Sequence, residues 1–254
     1  MDDTYQEVND PAITVKFELE SNSLFPAGTK VLAWTTTPWT IPANMALAVR
    51  NDIDYVLVES NSEQYIVAKN RLETVFKGKG DYTIIREFKG SELVGLGYIP
   101  PFPEYYHHKH GDKNHKIYHA EFITDTDGTG IGHEAPEFGD VDFQLAKKEG
   151  IYISEAMDEA GRYTAQIFDY TGTHYLDLDN PENGANKINI ERMKKNGTLF
   201  KLEGITHRVP FCPRSGTPLM QKAQDSWFID IQSQKDKLME ANEQINWFPG
   251  YLKE

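Results

Sequence analysis

Val31-Leu-Ala-Trp-Thr-Thr-Thr-Pro-Trp-Thr-Ile-Pro-Ala-Asn-Met-Ala-Leu-Ala-Val49 is the stretch on which the rest of the chain turns. Val31 to Trp34 is a short apolar run, the pattern of a buried strand. It delivers three consecutive hydroxyls, Thr35, Thr36 and Thr37, before Pro38 ends any regular ladder. Pro42 fixes a second φ angle, so the loop is stiff. A rigid strand end carrying Thr35, Thr36, Thr37, Thr40 and Asn44 holds neutral donors and acceptors in place. β-Branched threonine has few rotamers, so its methyl group can also serve as a wall. Composition alone allows a simpler reading, a Thr-rich edge strand followed by a proline turn.

Outward from this stretch the chain alternates short strands with a few helices. Residues 1–12 are polar and expected to be ragged. Residues 14–19 alternate as a strand does, and residues 54–59 and 64–68 form a hairpin around Ser-Asn-Ser. Residues 69–76 make a short helix with Leu72, Val75 and Phe76 on one face. Residues 81–86 are a further strand, and residues 90–102 are loop-like. Helices are expected over Asp140 to Glu149, stopped by Gly150, over residues 186–195 and over residues 235–244, while residues 217–231 look extended. The balance is α+β, with a β-barrel-like core of short strands and peripheral helices.

Composition narrows the function. A net charge of −13 repels phosphate over the surface as a whole, which argues against a general nucleic-acid binder but not against one local RNA contact. No apolar run approaches the roughly 20 residues that span a bilayer, and neither a signal peptide nor a membrane role is expected. The single cysteine, Cys212, forbids an internal disulfide and fits a reducing, cytoplasmic compartment. Five histidines, His107, His108, His110, His115 and His119, could be imagined around a metal, but the intervening polar residues favour a solvated hairpin tip, and no metal site is expected.

A second motif is Gly128-Thr-Gly-Ile-Gly-His-Glu-Ala-Pro-Glu-Phe-Gly-Asp-Val-Asp142. It places His133 at a strand end and Asp142 in the first turn of a helix, where exposed N–H groups favour a charged carboxylate. Such an aspartate can bind an ammonium group. Asp140 competes for the role and is the expected helix N-cap.

Together, Trp34-Thr-Thr-Thr-Pro-Trp-Thr-Ile-Pro-Ala-Asn44 and Gly128-Thr-Gly-Ile-Gly-His-Glu-Ala-Pro136 resemble the editing insertion of isoleucyl-tRNA synthetase, a class I aminoacyl-tRNA synthetase. The resemblance covers residues 1–254 as one editing domain, with residues 206–254 as the segment returning towards a catalytic core. The chain holds no His-x-Gly-His tetrad and no Lys-Met-Ser-Lys-Ser loop, so the resemblance implies a domain without the aminoacylation site.

The implied activity is hydrolysis of valine mischarged onto tRNA(Ile), and of valyl-adenylate as a further substrate. A single methylene is worth only about 1–3 kcal/mol to an apolar pocket, a limit for which isoleucyl-tRNA synthetase is itself the standard worked case. A second, smaller pocket must therefore admit valine and refuse isoleucine. The resemblance gives Asp142 to the substrate's α-ammonium and Thr36, Thr37 and His133 to catalysis and the pocket wall. Thr35, Thr40, Asn44 and Trp39 are expected to bind substrate. No residue offers a covalent route, so water attacks directly, with no cofactor. The partners implied are the 3′ end of tRNA(Ile) and the rest of a synthetase, the domain itself being a monomer. Two rivals are an insertion that grips the tRNA 3′ end without hydrolysis, and a metal hydrolase built on the histidine run.

Overall fold

The structure, a computed structural model, describes residues 4–106, 111–176 and 184–253. The chain divides into two compact units, Met1–Ala223 and Gln224–Glu254.

In the larger unit β1 (Tyr5–Leu19) is the longest strand and pairs with three others. It is followed by β2 (Lys30–Thr35), a buried 3-10 turn over Pro38–Ala43, β3 (Ala46–Val49), β4 (Asp54–Ser60) and β5 (Glu63–Ala68). Then come α1 (Leu72–Phe76), β6 (Thr83–Lys89), β7 (Tyr98–Ile99), α2 (Pro103–Tyr106), β8 (Lys116–His119), β9 (Gly132–Glu134), α3 (Asp140–Glu149), α4 (Ala185–Lys195) and β10 (Leu199–Pro210). The smaller unit contains α5 (Lys235–Gln244).

Two mixed sheets result. One runs β10-β1-β2-β5-β4-β6, with β7 also on β1, and the other runs β8-β3-β9. The β2–β5 and β3–β8 pairs are parallel and the rest antiparallel. The larger sheet keeps β10 and β6 as its ends, so the α+β architecture encloses its core with open sheets and no closed barrel.

The apolar runs have a simple cause: the sheet centre is buried on both faces. Val31 and Ala33 of β2, Tyr55 and Leu57 of β4, and Ile66 and Ala68 of β5 face the main core. Leu32, Val56, Val58, Tyr65 and Val67 alternate to the other face, where Leu72, Val75 and Phe76 of α1 cover them with Phe200. Period-2 geometry splits each strand between two cores.

Three sequence expectations need correction. Residues from Tyr5 onward are not ragged; they pair with β10 from Tyr5↔Pro210 inward, a partner some two hundred positions away that local composition cannot reveal. Residues 206–223 belong to the larger unit, because β10 continues to Pro210 and Leu219 N–H donates to Pro210 O. Residues 217–231 form no strand.

The β4–β5 hairpin turns at Asn61 and Ser62, both at positive φ (51° and 64°). Such a tight turn matches the strand twist but strains a residue with a Cβ. Ser62→Gly is therefore expected to raise stability by about 0.5–1 kcal/mol, read as a higher midpoint in urea at unchanged m-value; an unchanged or lower midpoint contradicts it.

Candidate functional site

The Thr-rich segment leaves β2 opposite Ile13, beside a register shift at Thr14/Val15 in the β1–β10 ladder. Pro38 starts the 3-10 turn, where a proline costs no helical hydrogen bond. The turn is buried throughout, so its backbone groups must be answered from elsewhere. Helix α4 answers them. Asn186 Oδ1 accepts from Trp39 N–H (2.9 Å), and Asn189 Nδ2 donates to Pro38 O (3.1 Å). The Tyr163 hydroxyl donates to Trp39 O.

The second motif approaches from the other side. Gly128 and Gly130 hold positive φ (54° and 74°), and a Cβ on Gly130 would lie 2.3 Å from Ala68 Cβ. Only glycine lets this loop lie against β5, and Tyr55 donates its hydroxyl to Gly130 O (2.8 Å). β9 then pairs with β3, setting His133 opposite Leu47 and Glu134 opposite Ala46.

The two motifs meet in one chain of hydrogen bonds whose directions can be worked out. Asn44 Nδ2 donates to Ala46 O (2.9 Å), which fixes the amide, and its Oδ1 accepts from the Tyr98 hydroxyl (2.6 Å). The same Nδ2 lies 2.8 Å from His133 Nδ1, which must accept. His133 Nε2 therefore carries the proton and donates to Thr40 Oγ1 (3.0 Å). Thr40 donates to Thr37 O (2.9 Å), so Thr37 Oγ1 donates to Thr40 (3.2 Å) and Thr35 Oγ1 to Thr37 (3.1 Å). Thr35 Oγ1 accepts from Thr37 N–H (3.1 Å). Burial pushes the His133 imidazole down to about 3. A second proton would also set N–H against the Asn44 amide. His133 is neutral.

Beside this chain lies a groove of about 420 Å³ whose walls include Thr36, Thr37, Trp39, Tyr175, Asn186 and His207. Thr36 has no side-chain hydrogen-bond partner among the described residues, and Thr37 Oγ1 keeps one lone pair, so the groove offers neutral hydroxyls on a largely apolar wall that also carries Asp10, 3.0 Å from His207.

Of the expected site residues, the structure joins Thr35, Thr37, Thr40, Asn44 and His133 in the hydrogen-bonded chain and places Thr36, Thr37 and Trp39 on the groove. Thr40 and Asn44 make internal hydrogen bonds here. They are 4% and 2% exposed with their polar groups already engaged, because they sit in and just after the buried turn. His133 is tied to the groove through Thr40 and Thr37.

Asp142 stands apart from that chain. Its Oδ2 accepts from Ala135 N–H (2.8 Å), and a Cβ on Gly139 would lie 2.6 Å from its Oδ1. Burial raises its carboxyl from the usual value, against the lowering effect of the Ala135 and Asp142 amides and of a hydrogen bond with Glu134. Glu134 is 3% exposed and held well above its usual range by burial, then by Asp142. Asp140 is not the cap of α3. Gly139 holds that position without a side-chain bond, and Asp140 is the first helical residue.

Of the histidine run, His107, His108 and His110 lie outside the described residues. His115 is no solvated tip residue; it is 4% exposed and its Nε2 lies 3.0 Å from Asn44 O. His119 Nε2 lies 3.0 Å from Glu121, and its Nδ1 accepts from Asn51 N–H. Among the described residues no group of three or more His, Cys, Asp or Glu side chains could hold a metal, and no helix is long and apolar enough to cross a membrane.

Sequence reasoning missed Glu134, Tyr98, Asn186 and Asn189. Glu134 carried a signal, a carboxylate inside the Gly-His-Glu-Ala run at a position paired with a central strand. The two asparagines carried none beyond their i, i+3 spacing on α4.

The fold is that of the editing (CP1) domains solved from leucyl-tRNA synthetases, which belong to class I of the aminoacyl-tRNA synthetases. The solved editing domain of the P. falciparum cytosolic leucyl-tRNA synthetase has the same fold, with a TM-score of 0.52 over 76% of this chain and 99% of that one, at 13% identity. In sequence the chain is homologous over nearly its whole length to isoleucine–tRNA ligases. It is 39% identical to that of Treponema denticola and 40% identical to that of Bdellovibrio bacteriovorus, in each case over 98% of this chain. It spans about a quarter of the length of these relatives (24% and 23%). No family model matches the chain.

The tautomer argument makes a direct prediction. In nitrogen-correlated NMR His133 should stay neutral with the proton on Nε2 throughout about pH 5–8, where an ordinary histidine titrates. Asn44→Ala should leave Nδ1 unpaired and cost about 1–3 kcal/mol. A His133 that titrates near its usual value would overturn the assigned bond directions.

Proposed function

We propose that this domain hydrolyses the ester of valyl-tRNA(Ile), and of valyl-adenylate as a second substrate, excluding isoleucine by size. The observation that carries this reading is the hydrogen-bonded chain from Thr35 to Asn44, which immobilises Thr37 beside the groove.

Rigidity is what a size filter needs. A gap of one methylene is discriminated only if the wall cannot give way by a few tenths of an ångström. Thr37 is held by Thr35 and Thr40, Thr40 by neutral His133, and the turn that carries them by α4. The aminoacyl end of a tRNA offers an ester, a ribose and an ammonium group. Thr36 and Thr37 can hydrogen-bond the ester and the ribose without the desolvation cost of a charged wall. Asp142 supplies the partner for the ammonium.

In the reaction, water adds to the ester carbonyl carbon and the bond from that carbon to the ribose oxygen breaks. A proton passes to that oxygen, leaving free valine and a free terminal ribose. His133 is not the base, since Nδ1 already accepts from Asn44 and Nε2 already donates. The neighbouring ribose hydroxyl of the substrate is the remaining candidate within the reacting groups. The negative surface implies that most of the affinity for tRNA comes from the remainder of a full-length synthetase, whose positive surface would meet the phosphates.

Incubation with valyl-tRNA(Ile) and isoleucyl-tRNA(Ile) tests the reading: valine should be released and isoleucine spared, and equal release of both would refute size exclusion. His133→Ala, by freeing Thr40, should begin to release isoleucine. Asp142→Asn keeps an acceptor for Ala135 N–H but removes the charge. Losing such a buried partner costs about 2–5 kcal/mol, at least about 30-fold in kcat/KM. A wild-type rate in that variant removes Asp142 from the site.

A further inference from the structure

We propose that Glu134 is a positioning residue for the amine-binding end of the site, holding one proton against the Asp142 carboxylate so that the pair offers an ammonium group a single negative charge carried on Asp142. The proposal rests on the reading of Asp142 as the ammonium partner.

Glu134 lies on β9, opposite Ala46 of the central strand β3, and its own C=O accepts from Met45 N–H (3.0 Å). Its carboxyl is folded into the protein. A Cβ on Gly132 would lie 2.4 Å from its Oε1, so the glycine makes room for it, and its Oε2 is buried with no hydrogen-bond partner. No cation among the described residues pairs with it. A bare carboxylate in that position costs several kcal/mol, so it keeps its proton.

The groups that face it decide where that proton points. Tyr98, from β7, has given its hydroxyl hydrogen to Asn44 Oδ1. Neighbouring His133 has both ring nitrogens committed, to Asn44 and Thr40. Asp142, from α3, is the remaining titratable neighbour: its Oδ2 is held 2.8 Å from the N–H of Ala135, the residue next to Glu134, which brings the two carboxyls together. Two carboxylates this close cannot both ionise in a dry site, and one shared proton answers both. Glu134 is the more deeply buried, so it holds the proton. Asp142, with the Ala135 N–H and the amides of the first turn of α3, carries the charge. A neutral donor on one side and a backbone amide on the other would fix the carboxylate's orientation.

The test uses Glu134→Gln, which keeps a donor but cannot titrate, and Glu134→Leu, which removes the donor. In the wild-type protein at neutral pH, infrared spectroscopy with carboxyl-labelled glutamate should show a protonated carboxylic acid band that Glu134→Gln loses. In valyl-tRNA deacylation, Glu134→Gln should lie closer to wild type than Glu134→Leu in both kcat/KM and acid limb, because the amide still donates to Asp142. Glu134→Leu should raise KM and move the acid limb upward by about one pH unit, because Asp142 loses its donor. A band unchanged in Glu134→Gln overturns the proton sharing. An acid limb in Glu134→Leu equal to wild type overturns the positioning role. If the band behaves as expected but the wild-type protein releases no valine, the editing reading fails, and the amine-binding role of Glu134 falls with it.

Discussion

The hydrogen bond from Asn44 to His133 Nδ1 is the constraint on which the site depends. It selects one tautomer, the tautomer selects the direction of every hydroxyl bond beyond it, and the last of those bonds holds a groove-lining threonine. Asn44 can impose this because Ala46 O and Tyr98 leave its amide no choice of orientation. The bond also joins two motifs 89 positions apart, so the site exists only when β3 and β9 are paired. A neutral imidazole is the right centre for such a chain. A charged one would set an N–H against the Asn44 amide and would need a counter-ion that the described residues do not place there.

The fold supplies the stiffness that this chain transmits. β2 is buried on both faces, so the strand end carrying the threonines cannot shift without opening two cores. The proline turn gains rigidity of a different kind. Two prolines remove donors and fix φ, and Asn186 and Asn189 of α4, with the Tyr163 hydroxyl, then take up backbone groups of Pro38 and Trp39. A similar device stabilises the chain after Pro136. There the buried Glu137 carboxylate accepts from Ser154 Oγ, Ala156 N–H and Met157 N–H, tying the loop before α3 to a segment that no sheet holds.

What could be read from the sequence followed local periodicity. Helix α3 with its Gly150 stop, the β4–β5 hairpin and the apolar face of α1 all announce themselves within a few residues, because backbone preference and burial agree there. The hydroxyl-bearing strand end and His133 were also legible as chemistry. The pairing of Tyr5 onward with β10 was not, nor were the asparagines of α4 or the environment of Glu134. In each case the partner lies far along the chain, and a polar residue satisfied by a distant group looks the same in sequence as one facing water. The same blindness hides that the polar atoms of Thr40 and Asn44 hold other residues in place. Asp140 was read as a cap because aspartate favours that position, yet the close approach of Asp142 to Gly139 leaves the cap site to glycine.

The buried titratable groups also set opposite limits on pH. His133 is held at about 3 in the folded chain against about 6.5 when unfolded, so the unfolded state takes up a proton first as pH falls. Its contribution to stability is present above that unfolded value and is lost progressively on the way down to about 3. Glu134 works in the other direction. Its folded carboxyl lies well above the unfolded value of about 4.3, so its contribution is full below that value and is lost as pH rises through the folded one. One group penalises acid and the other penalises base, and both sit on the same three-residue strand. Between those limits His133 is neutral and Glu134 keeps its proton. That protonation state favours folding, and it keeps both side chains of β9 uncharged beside the hydrogen-bonded wall.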